Sequence, residues 1–283
     1  MSTGAGQQNS RRAIRAMGMP GIEPGGDASA RPGFRWVAPD ALIVDEGYQR
    51  NLSERSVSLI RRIVADWDWR RFKPPVVVET DDGLEVIDGQ HTAIAAASHP
   101  SVDEIPVMVV EASDREARAR AFIGHNKDRI AVTATQLHVA AVAAGDPDAV
   151  TLQQVCDRAG VRVLRVSPGN SGFKAGDTMA VAAIMALINR RGAMRARQML
   201  EILVKAKMAP IPAAGVRAVE MLLNDPEYSG EITAEDLSTT ILMMGERAEQ
   251  EAKVFAAAHN VPLWRALGII WFKGRPRGRK RAN

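Results

Sequence analysis

The sequence contains a single cysteine, Cys156, in a chain of 283 residues. One cysteine excludes an internal disulfide and any metal site built from several cysteines, and the five histidines lack the spacings of zinc motifs. No apolar run approaches the roughly 20 residues that span a bilayer. A secretory signal requires an apolar stretch after its basic residues, and no such stretch follows the arginines near the N-terminus. We therefore expect a cytoplasmic protein that does not contact a membrane.

Net charge is also small, and it is unevenly placed. The chain has a formal charge of +4, from 37 basic and 33 acidic side chains. Six basic residues and no acidic one lie between positions 273 and 281, and residues 1–33 have a net charge of +2. Subtracting both ends leaves −4 for residues 34–272. Any contact with a polyanion such as DNA is therefore expected to be local.

The hydrophobic patterns divide the chain into four parts. Residues 1–33 are rich in Gly, Ser, Gln, Pro and Arg, which predicts a disordered leader. Residues 34–132 contain both helical and strand-like hydrophobic patterns. Helices are expected after Ser53, at 92–98 and at 114–123, and strands are expected at 34–37, 41–44, 76–78, 84–87 and 105–110. Residues 133–272 show helical periods only, at 133–144, 151–159, 177–191, 193–207, 212–223, 233–258 and 261–272. A basic tail, 273–283, follows. The predicted fold class is α+β, a small α/β domain followed by an all-helical domain.

The most informative segment is Asp88-Gly89-Gln90-His91-Thr92, between the strand at 84–87 and an alanine-rich helix. Glycine permits a tight turn, and the amides that begin a helix then face one point together with the positive end of the helix dipole. Such a turn suits a phosphate or carboxylate group, to which His91 and Thr92 can add donors. The alternative is an ordinary tight turn without a ligand.

Four motifs in order give residues 34–140 a resemblance to the ParB N-terminal domain, of the ParB/sulfiredoxin-like superfamily. They are Tyr48-Gln49-Arg50 for a Gln-Pro-Arg-type motif, Pro75-Val76-Val77-Val78 for a PIVV strand, the turn at 88–92 for Gly-Glu-Arg-Arg, and His125-Asn126-Lys127-Asp128-Arg129 for Glu-Asn-x-Gln-Arg. In ParB proteins these motifs enclose CTP with Mg²⁺, which gates clamping of a dimer on DNA. The resemblance therefore implies nucleotide binding, DNA as a partner and a homodimer.

The resemblance also assigns nucleotide- or phosphate-binding roles to individual residues, namely Arg50, Gly89, Gln90, His91, Thr92, Asn126 and Arg129. In the last motif the carboxamide, here Asn126, helps to hold a cation such as Mg²⁺ or a phosphate, and the guanidinium pairs with phosphate. The chain departs from the family at both arginines of Gly-Glu-Arg-Arg, which are His91 and Thr92 here. Each lost charged hydrogen bond costs about 1.5–3 kcal/mol, so the resemblance leaves the ligand open between CTP, ATP and a less charged group.

An enzyme is the alternative to a binding protein. Sulfiredoxins place their catalytic cysteine at the position of Gln90, so their chemistry is excluded here. Some relatives with a similar Asp-Gly-His-His-Arg turn are kinases of small substrates, which makes Asp88 and His91 candidate catalytic residues. The alternative is therefore a nucleotide-dependent kinase, a nucleotide hydrolase or a nuclease, and a third possibility is a helical interaction adaptor. We expect binding rather than turnover.

Candidate DNA contacts lie in the second half of the chain. Residues 151–166 are similar to a helix-turn-helix, with a helix that ends at Gly160 and the small residue Cys156 where two helices cross closely. Arg162 and Arg165 are then expected on the second helix; the alternative is a helical hairpin with solvated arginines. A basic cluster at 190–207 has a local net charge of +5. The tail adds Arg275, Arg277, Arg279, Lys280 and Arg281.

Overall fold

The computed structural model of the chain describes residues 13–23, 30–47, 52–112, 114–127 and 131–276. Several predicted site residues lie outside these ranges: Arg50, Arg129, Arg277, Arg279, Lys280 and Arg281. The chain forms two compact units, residues 1–130 and 131–283. Within the described ranges, no helix has both the length and the apolar character needed to cross a bilayer.

The first unit contains a mixed five-stranded sheet. Its strands are β1 (Gly33–Val37), β2 (Leu42–Ile43), β3 (Val76–Thr80), β4 (Gly83–Asp88) and β5 (Ile105–Val110). They lie in the order β1-β5-β3-β4-β2. The β1–β5 and β3–β4 pairs are antiparallel, whereas the β3–β5 and β2–β4 pairs are parallel. All five strands lie where the sequence predicts them.

Three helices belong to this unit: α1 (Glu54–Ala65), α2 (Gln90–Ala97) and α3 (Arg115–Lys127). Ser53 caps α1 by accepting a hydrogen bond from the Ser56 N–H at 3.2 Å. The prediction that α3 ends near Ile123 is wrong, because the helix continues through Gly124 to Lys127. One helical glycine costs only about 1 kcal/mol relative to alanine, so it does not by itself end a helix.

The position of β3 and β4 within the sheet places the turn that follows β4. Val76, Val77 and Val78 are all buried on β3, as expected of a central strand that is covered on both faces. Because β3 and β4 are antiparallel neighbours, the residue before β3 lies beside the residue after β4. Pro75 therefore contacts Gly89, at the point where the chain enters α2.

The second unit is mainly helical, and the α+β fold class is confirmed. Its helices are α4 (Ala134–Ala143), α5 (Pro147–Ala159), α6 (Val181–Arg191), α7 (Ala193–Lys205), α8 (Ala213–Asn224), α9 (Ala234–Met244), α10 (Glu246–His259) and α11 (Leu263–Gly274). Helix α11 packs against α8 and α10, and α5 packs against α7. The buried core includes Leu152, Leu187, Leu200, Leu222 and Trp271.

The prediction of helix alone after residue 133 is wrong between α5 and α6. Strand β6 (Arg162–Val163) pairs in parallel with β7 (Asp177–Thr178), and the Thr178 hydroxyl donates to the carbonyl of Ile211 at 2.8 Å. The second unit is therefore not all-helical, and helix α6 begins only at Val181. The expected single helix at 233–258 is divided into α9 and α10 at Gly245, whose φ of 52° and ψ of −140° lie outside the helical region.

Candidate functional site

The turn between β4 and α2 requires glycine for two reasons. Gly89 has φ 93° and ψ 19°, in the left-handed region that glycine adopts without steric cost. A Cβ atom at this position would also lie 3.0 Å from the Cα atom of Pro75 and 3.3 Å from its Cβ atom. The close contact is with backbone, which cannot move aside as a flexible side chain can. Gly89 thus allows β4 to pass directly into α2.

The N-cap residue of α2 is Gly89, which makes no side-chain hydrogen bond to the helix. The first amide bonded within the helix is that of Ala93, which donates to the Gly89 carbonyl at 3.0 Å. The N–H groups of Gln90, His91 and Thr92 therefore belong to the first turn, where a helix offers them no acceptor. This turn contains no acidic side chain. Such amides and the helix dipole favour an anionic group, and binding of a phosphate at this turn stays a prediction.

A small cleft of about 120 Å³ adjoins this turn. Its lining residues are Ile63, Asp66, Trp67, Asp68, Arg71, Phe72, Lys73 and Thr92. Of the residues predicted for the site, the cleft contains Thr92, whereas the basic residues Arg71 and Lys73 come from the segment between α1 and β3. Sequence reasoning missed both. Both residues lie just before Pro74-Pro75 and β3. Because β3 begins beside the end of β4, this position in the sequence could have indicated that they lie near the turn.

Ion pairs neutralise part of the charge around the cleft. The Lys73 ammonium lies 3.5 Å from the Asp88 carboxylate, and Arg70 contacts Asp68 at 2.8 Å. The hydrogen bonds from the side chain and the backbone of Arg70 lower the pKa of Asp68. Among the described contacts, the Arg71 guanidinium makes one long hydrogen bond, 3.5 Å, to the backbone carbonyl of Asp66. Arg71 is thus the cation of this cleft that is best placed to bind an added anion.

Asn126, the candidate for holding a cation, lies on the last turn of α3 rather than in a loop. Its side-chain nitrogen donates to the Phe122 carbonyl at 2.8 Å, and none of the described hydrogen bonds joins it to the turn at Gly89. In the described part of the chain, no group of three or more His, Cys, Asp or Glu side chains is arranged to hold a metal ion. Mg²⁺ is usually bound through one or two protein ligands together with water and phosphate oxygens, so the role of Asn126 in holding a cation stays a prediction.

Of the two candidate catalytic residues, Asp88 ends β4 and His91 lies in the first turn of α2. The ion pair of Asp88 with Lys73 orients this carboxylate toward the cleft side of the turn. Both residues are partly buried, so each can reach solvent or a ligand. The structure thus brings Asp88, Gly89, Gln90, His91 and Thr92 together at one place.

The predicted second helix of the helix-turn-helix is wrong. Helix α5 ends at Gly160 with φ 75°, as expected, but Arg162 then lies on β6. Valine lies on either side of Arg162, at positions 161 and 163. Because β-branched side chains favour an extended backbone, this segment forms a strand. The Arg162 guanidinium binds Asp177 at 2.7 Å. Burial raises the pKa of Asp177, but hydrogen bonds from the Lys174 N–H and Arg162 outweigh it, so the pKa is lowered overall.

The other candidate DNA contacts differ in how far they are already engaged. Arg165 is exposed, and among the described contacts its backbone carbonyl accepts a hydrogen bond from the Thr135 hydroxyl at 3.0 Å. Arg275 instead closes the end of α11: it donates to the Phe272 carbonyl at 2.7 Å and to the Glu231 carbonyl at 3.1 Å. Its guanidinium also lies 3.5 Å from the centre of the Phe272 ring. Arg275 therefore has a structural role.

The basic cluster at 190–207 is partly neutralised by one buried acid. Arg190 and Arg191 bind the Glu220 carboxylate at 2.6 and 2.9 Å, and Arg197 pairs with Glu201 at 2.7 Å. Burial raises the pKa of Glu220, but hydrogen bonds from the two arginines outweigh it and lower the pKa overall. Arg190 and Arg191 therefore link helix α6 to α8, and the formal charge of the cluster overstates the cations that are free for a partner.

Comparisons with known proteins give only distant likenesses. No family model matches the sequence, and no curated protein matches it. The C-terminally truncated chromosome-partitioning protein ParB from Caulobacter crescentus, complexed with CTP-gamma-S, is 15% identical at a TM-score of 0.32, over 84% of this chain and 98% of that chain. The Pnob8-like ParB-N domain is 12% identical at a TM-score of 0.28, over 81% of this chain and 87% of that chain. The candidate site therefore rests on the geometry of this chain.

Proposed function

We propose that the chain is a ParB-like, DNA-associated protein in which a nucleotide, bound through its phosphates at the turn between β4 and α2, regulates contact with DNA. The observation that carries this proposal is the N-terminus of α2, entered through Gly89 and bordered by Arg71 and Lys73. The order of the four sequence motifs makes CTP the first nucleotide to test and ATP the second, both with Mg²⁺.

Two cations from the α1–β3 segment supply charge that the turn itself lacks. The side chains of His91 and Thr92 bring no permanent positive charge, whereas Arg71 and Lys73 each bring one to the same cleft. Lys73 is already paired with Asp88, so a hydrogen bond from Arg71, which contributes about 1.5–3 kcal/mol, offsets part of the loss of the two family arginines. Mg²⁺ in nucleotide sites is usually held by phosphate oxygens, water and one or two protein ligands, and we expect the same here.

Isothermal titration and thermal unfolding of the full chain with CTP and with ATP, each with Mg²⁺, test the nucleotide part. A ligand present at 100 times its Kd stabilises the folded state by about 2.7 kcal/mol, which raises Tm measurably. Lys73→Gln should weaken binding about tenfold or more, whereas Lys253→Gln, which removes an exposed lysine of α10, should not. Absence of any shift at millimolar nucleotide would refute this part.

The same titrations report on the enzyme alternative. Release of phosphate or transfer from labelled CTP or ATP would show turnover, and its loss in Asp88→Ala and His91→Ala would assign it to this turn. Turnover that survives both substitutions would lie elsewhere. Stable binding without turnover is the result we expect, because the first turn of α2 and the two neighbouring cations suit the binding of a phosphate group.

The DNA part rests on Arg165 and on the basic tail. Replacing Arg277, Arg279 and Arg281 by glutamine should weaken binding and reduce the dependence of log K on log salt by about 2.7, since each phosphate contact contributes about 0.9. Arg247→Gln, on the exposed surface of α10, is the control and should leave the slope unchanged. Affinity measured with and without nucleotide tests regulation. Binding that is absent at low ionic strength, or that nucleotide does not change, would refute this part.

A further inference from the structure

Two tryptophan side chains are exposed on the surface of the first unit. Trp36 on β1 is 62% exposed and Trp69, between α1 and β3, is 49% exposed. Their ring centres lie 6.2 Å apart, with an angle of 53° between the planes. Large aromatic rings are usually buried on folding, so a pair of neighbouring exposed rings indicates a contact surface. We call Trp36 and Trp69 the aromatic surface.

The aromatic surface is continuous with the cleft beside Gly89. The Trp69 ring packs edge-on against the Trp67 ring, with 5.4 Å between the ring centres. Its centre also lies 5.1 Å from that of the Phe72 ring. Trp67 and Phe72 both line the cleft, on the side of the α1–β3 segment. A line of rings therefore leads from the cations Arg71 and Lys73 out to the two exposed tryptophans.

The size of the cleft decides which part of a ligand it can hold. Its volume is about 120 Å³, whereas sites that bury a whole small molecule measure about 300–1,000 Å³. A phosphate group fits such a space, but a nucleoside does not. The base of a nucleotide whose phosphates lie at the turn must therefore lie outside the cleft, where the exposed rings are.

Charge distinguishes a single nucleotide from a nucleic-acid strand. The charged residues that line the cleft are two acids, Asp66 and Asp68, and two bases, Arg71 and Lys73. Asp68 and Arg70, which flank Trp69 in the chain, pair with each other at 2.8 Å and so neutralise one another. Proteins that bind single strands along their length need a positively charged groove for the backbone. A locally neutral surface with one lightly engaged guanidinium, Arg71, suits one phosphorylated end.

From these observations we infer that the aromatic surface is the base-binding part of the site: a mononucleotide stacks its base on Trp69 and Trp36 while its phosphates enter the cleft at Arg71 and Lys73. This inference rests on the proposed function, because it assumes phosphates at the turn. Stacking accepts every base, since each has a flat face, so the aromatic surface adds affinity without selecting CTP over ATP.

The experiment compares a nucleotide with inorganic tripolyphosphate, which carries the phosphates without the ring. Affinities of the full chain for CTP, ATP and tripolyphosphate, each with Mg²⁺, are measured by isothermal titration for the wild type, Trp36→Leu and Trp69→Leu. Leucine keeps an apolar side chain against Trp67 and Phe72 but removes the ring face. Trp264→Phe, in the second unit, is the control, and circular dichroism verifies the fold of each variant.

Stacking of one base contributes about 1–3 kcal/mol, so the wild type should bind both nucleotides about 5- to 150-fold more tightly than tripolyphosphate. Either leucine variant should reduce this ratio and leave the affinity for tripolyphosphate unchanged. Equal affinities in the wild type, or a ratio that neither variant changes, would overturn the inference while the phosphate site stands. Binding of neither compound would refute the proposed function itself.

Two further measurements exclude other occupants of the aromatic surface. A single-stranded oligonucleotide that binds more tightly than the mononucleotides, and loses this advantage in Trp36→Leu, would overturn the inference in favour of a strand. Self-association that Trp36→Leu abolishes, seen by analytical ultracentrifugation, would overturn it in favour of a contact between two copies. If Trp69→Leu does not fold, Trp36→Leu decides alone, because Trp36 is the more exposed of the two rings.

Discussion

Replacing Gly89 with alanine should destabilise the first unit and disrupt the candidate site together. An L-residue in the left-handed region costs about 1–2 kcal/mol. The added Cβ atom would also lie 3.0 Å from the Cα atom of Pro75, a backbone atom at the start of the central strand β3. Overpacking of this kind costs about 1–3 kcal/mol. The expected loss in free energy of unfolding is therefore about 2–5 kcal/mol.

The chain offers a matched control for the steric part of this cost. Gly145 has φ 75°, near the value of 93° at Gly89, but a Cβ atom added there would meet no atom within 4 Å. Gly145→Ala should therefore lose only the conformational part, about 1–2 kcal/mol. Urea titrations followed by circular dichroism give the free energy of unfolding of each variant. Each value is compared with that of the wild-type transition that the substitution shifts. The difference between the two variants isolates the contact with Pro75.

The outcome that would refute this reasoning is equal destabilisation by the two substitutions. β3 and β4 would then be able to separate locally without cost, and Gly89 would not fix how the chain enters α2. A second refuting result is Gly89→Ala that binds nucleotide with the affinity of the wild type, because the displaced turn could not then be the phosphate contact. The two readouts are independent, since one measures unfolding and the other titrates ligand.

Three further predictions concern the second unit. Cys156 is buried and its pKa is raised by burial to about 12, so native protein at pH 8 should not react with a thiol reagent, and urea should restore one reactive thiol per chain. The pKa of Glu220 is lower in the folded chain than the value of about 4.3 for glutamate in an unfolded chain, so its ion pairs stabilise the fold above that pH. This stabilisation is lost as the pH falls through the folded pKa. Glu220→Gln should therefore lower the stability at pH 7 and make thermal unfolding less dependent on pH in the acid range. Arg275→Ala should lower the free energy of unfolding by about 1–2 kcal/mol, whereas Arg165→Ala should change it by less than about 0.5, which urea titration measures.

The elements with strong local signals could be predicted from the sequence, and those fixed by distant partners could not. The valine-rich strand β3 and the helix capped by Ser53 follow from period and capping alone. Strand β7 does not, because Thr178 is extended through its hydrogen bond to Ile211, which lies 33 residues away. The interruption at Gly245 could not be predicted either, because the residues on both sides have a helical pattern and only the backbone conformation of Gly245 ends the first helix.

The candidate site shows the same division. The turn at Gly89 was identified because its strand, glycine and helix follow one another in the chain. Arg71 and Lys73 were missed because they reach the turn only through the antiparallel pairing of β3 with β4. A motif comparison covers only the positions where the motif itself has cations, so it does not find a cation that another segment of the chain brings to the same turn. The exposed ring of Trp69 was missed for a related reason, since aromatic residues in sequence predict burial.

Folding also changes which of the basic residues remain available to a partner. Arg162, Arg190 and Arg191 are bound to the buried acids Asp177 and Glu220, so their charge is neutralised and part of their hydrogen-bonding capacity is already used. DNA binding by this chain should therefore depend on cations that folding leaves unpaired. A count of positive charge in the sequence does not distinguish these from the cations that hold the second unit together.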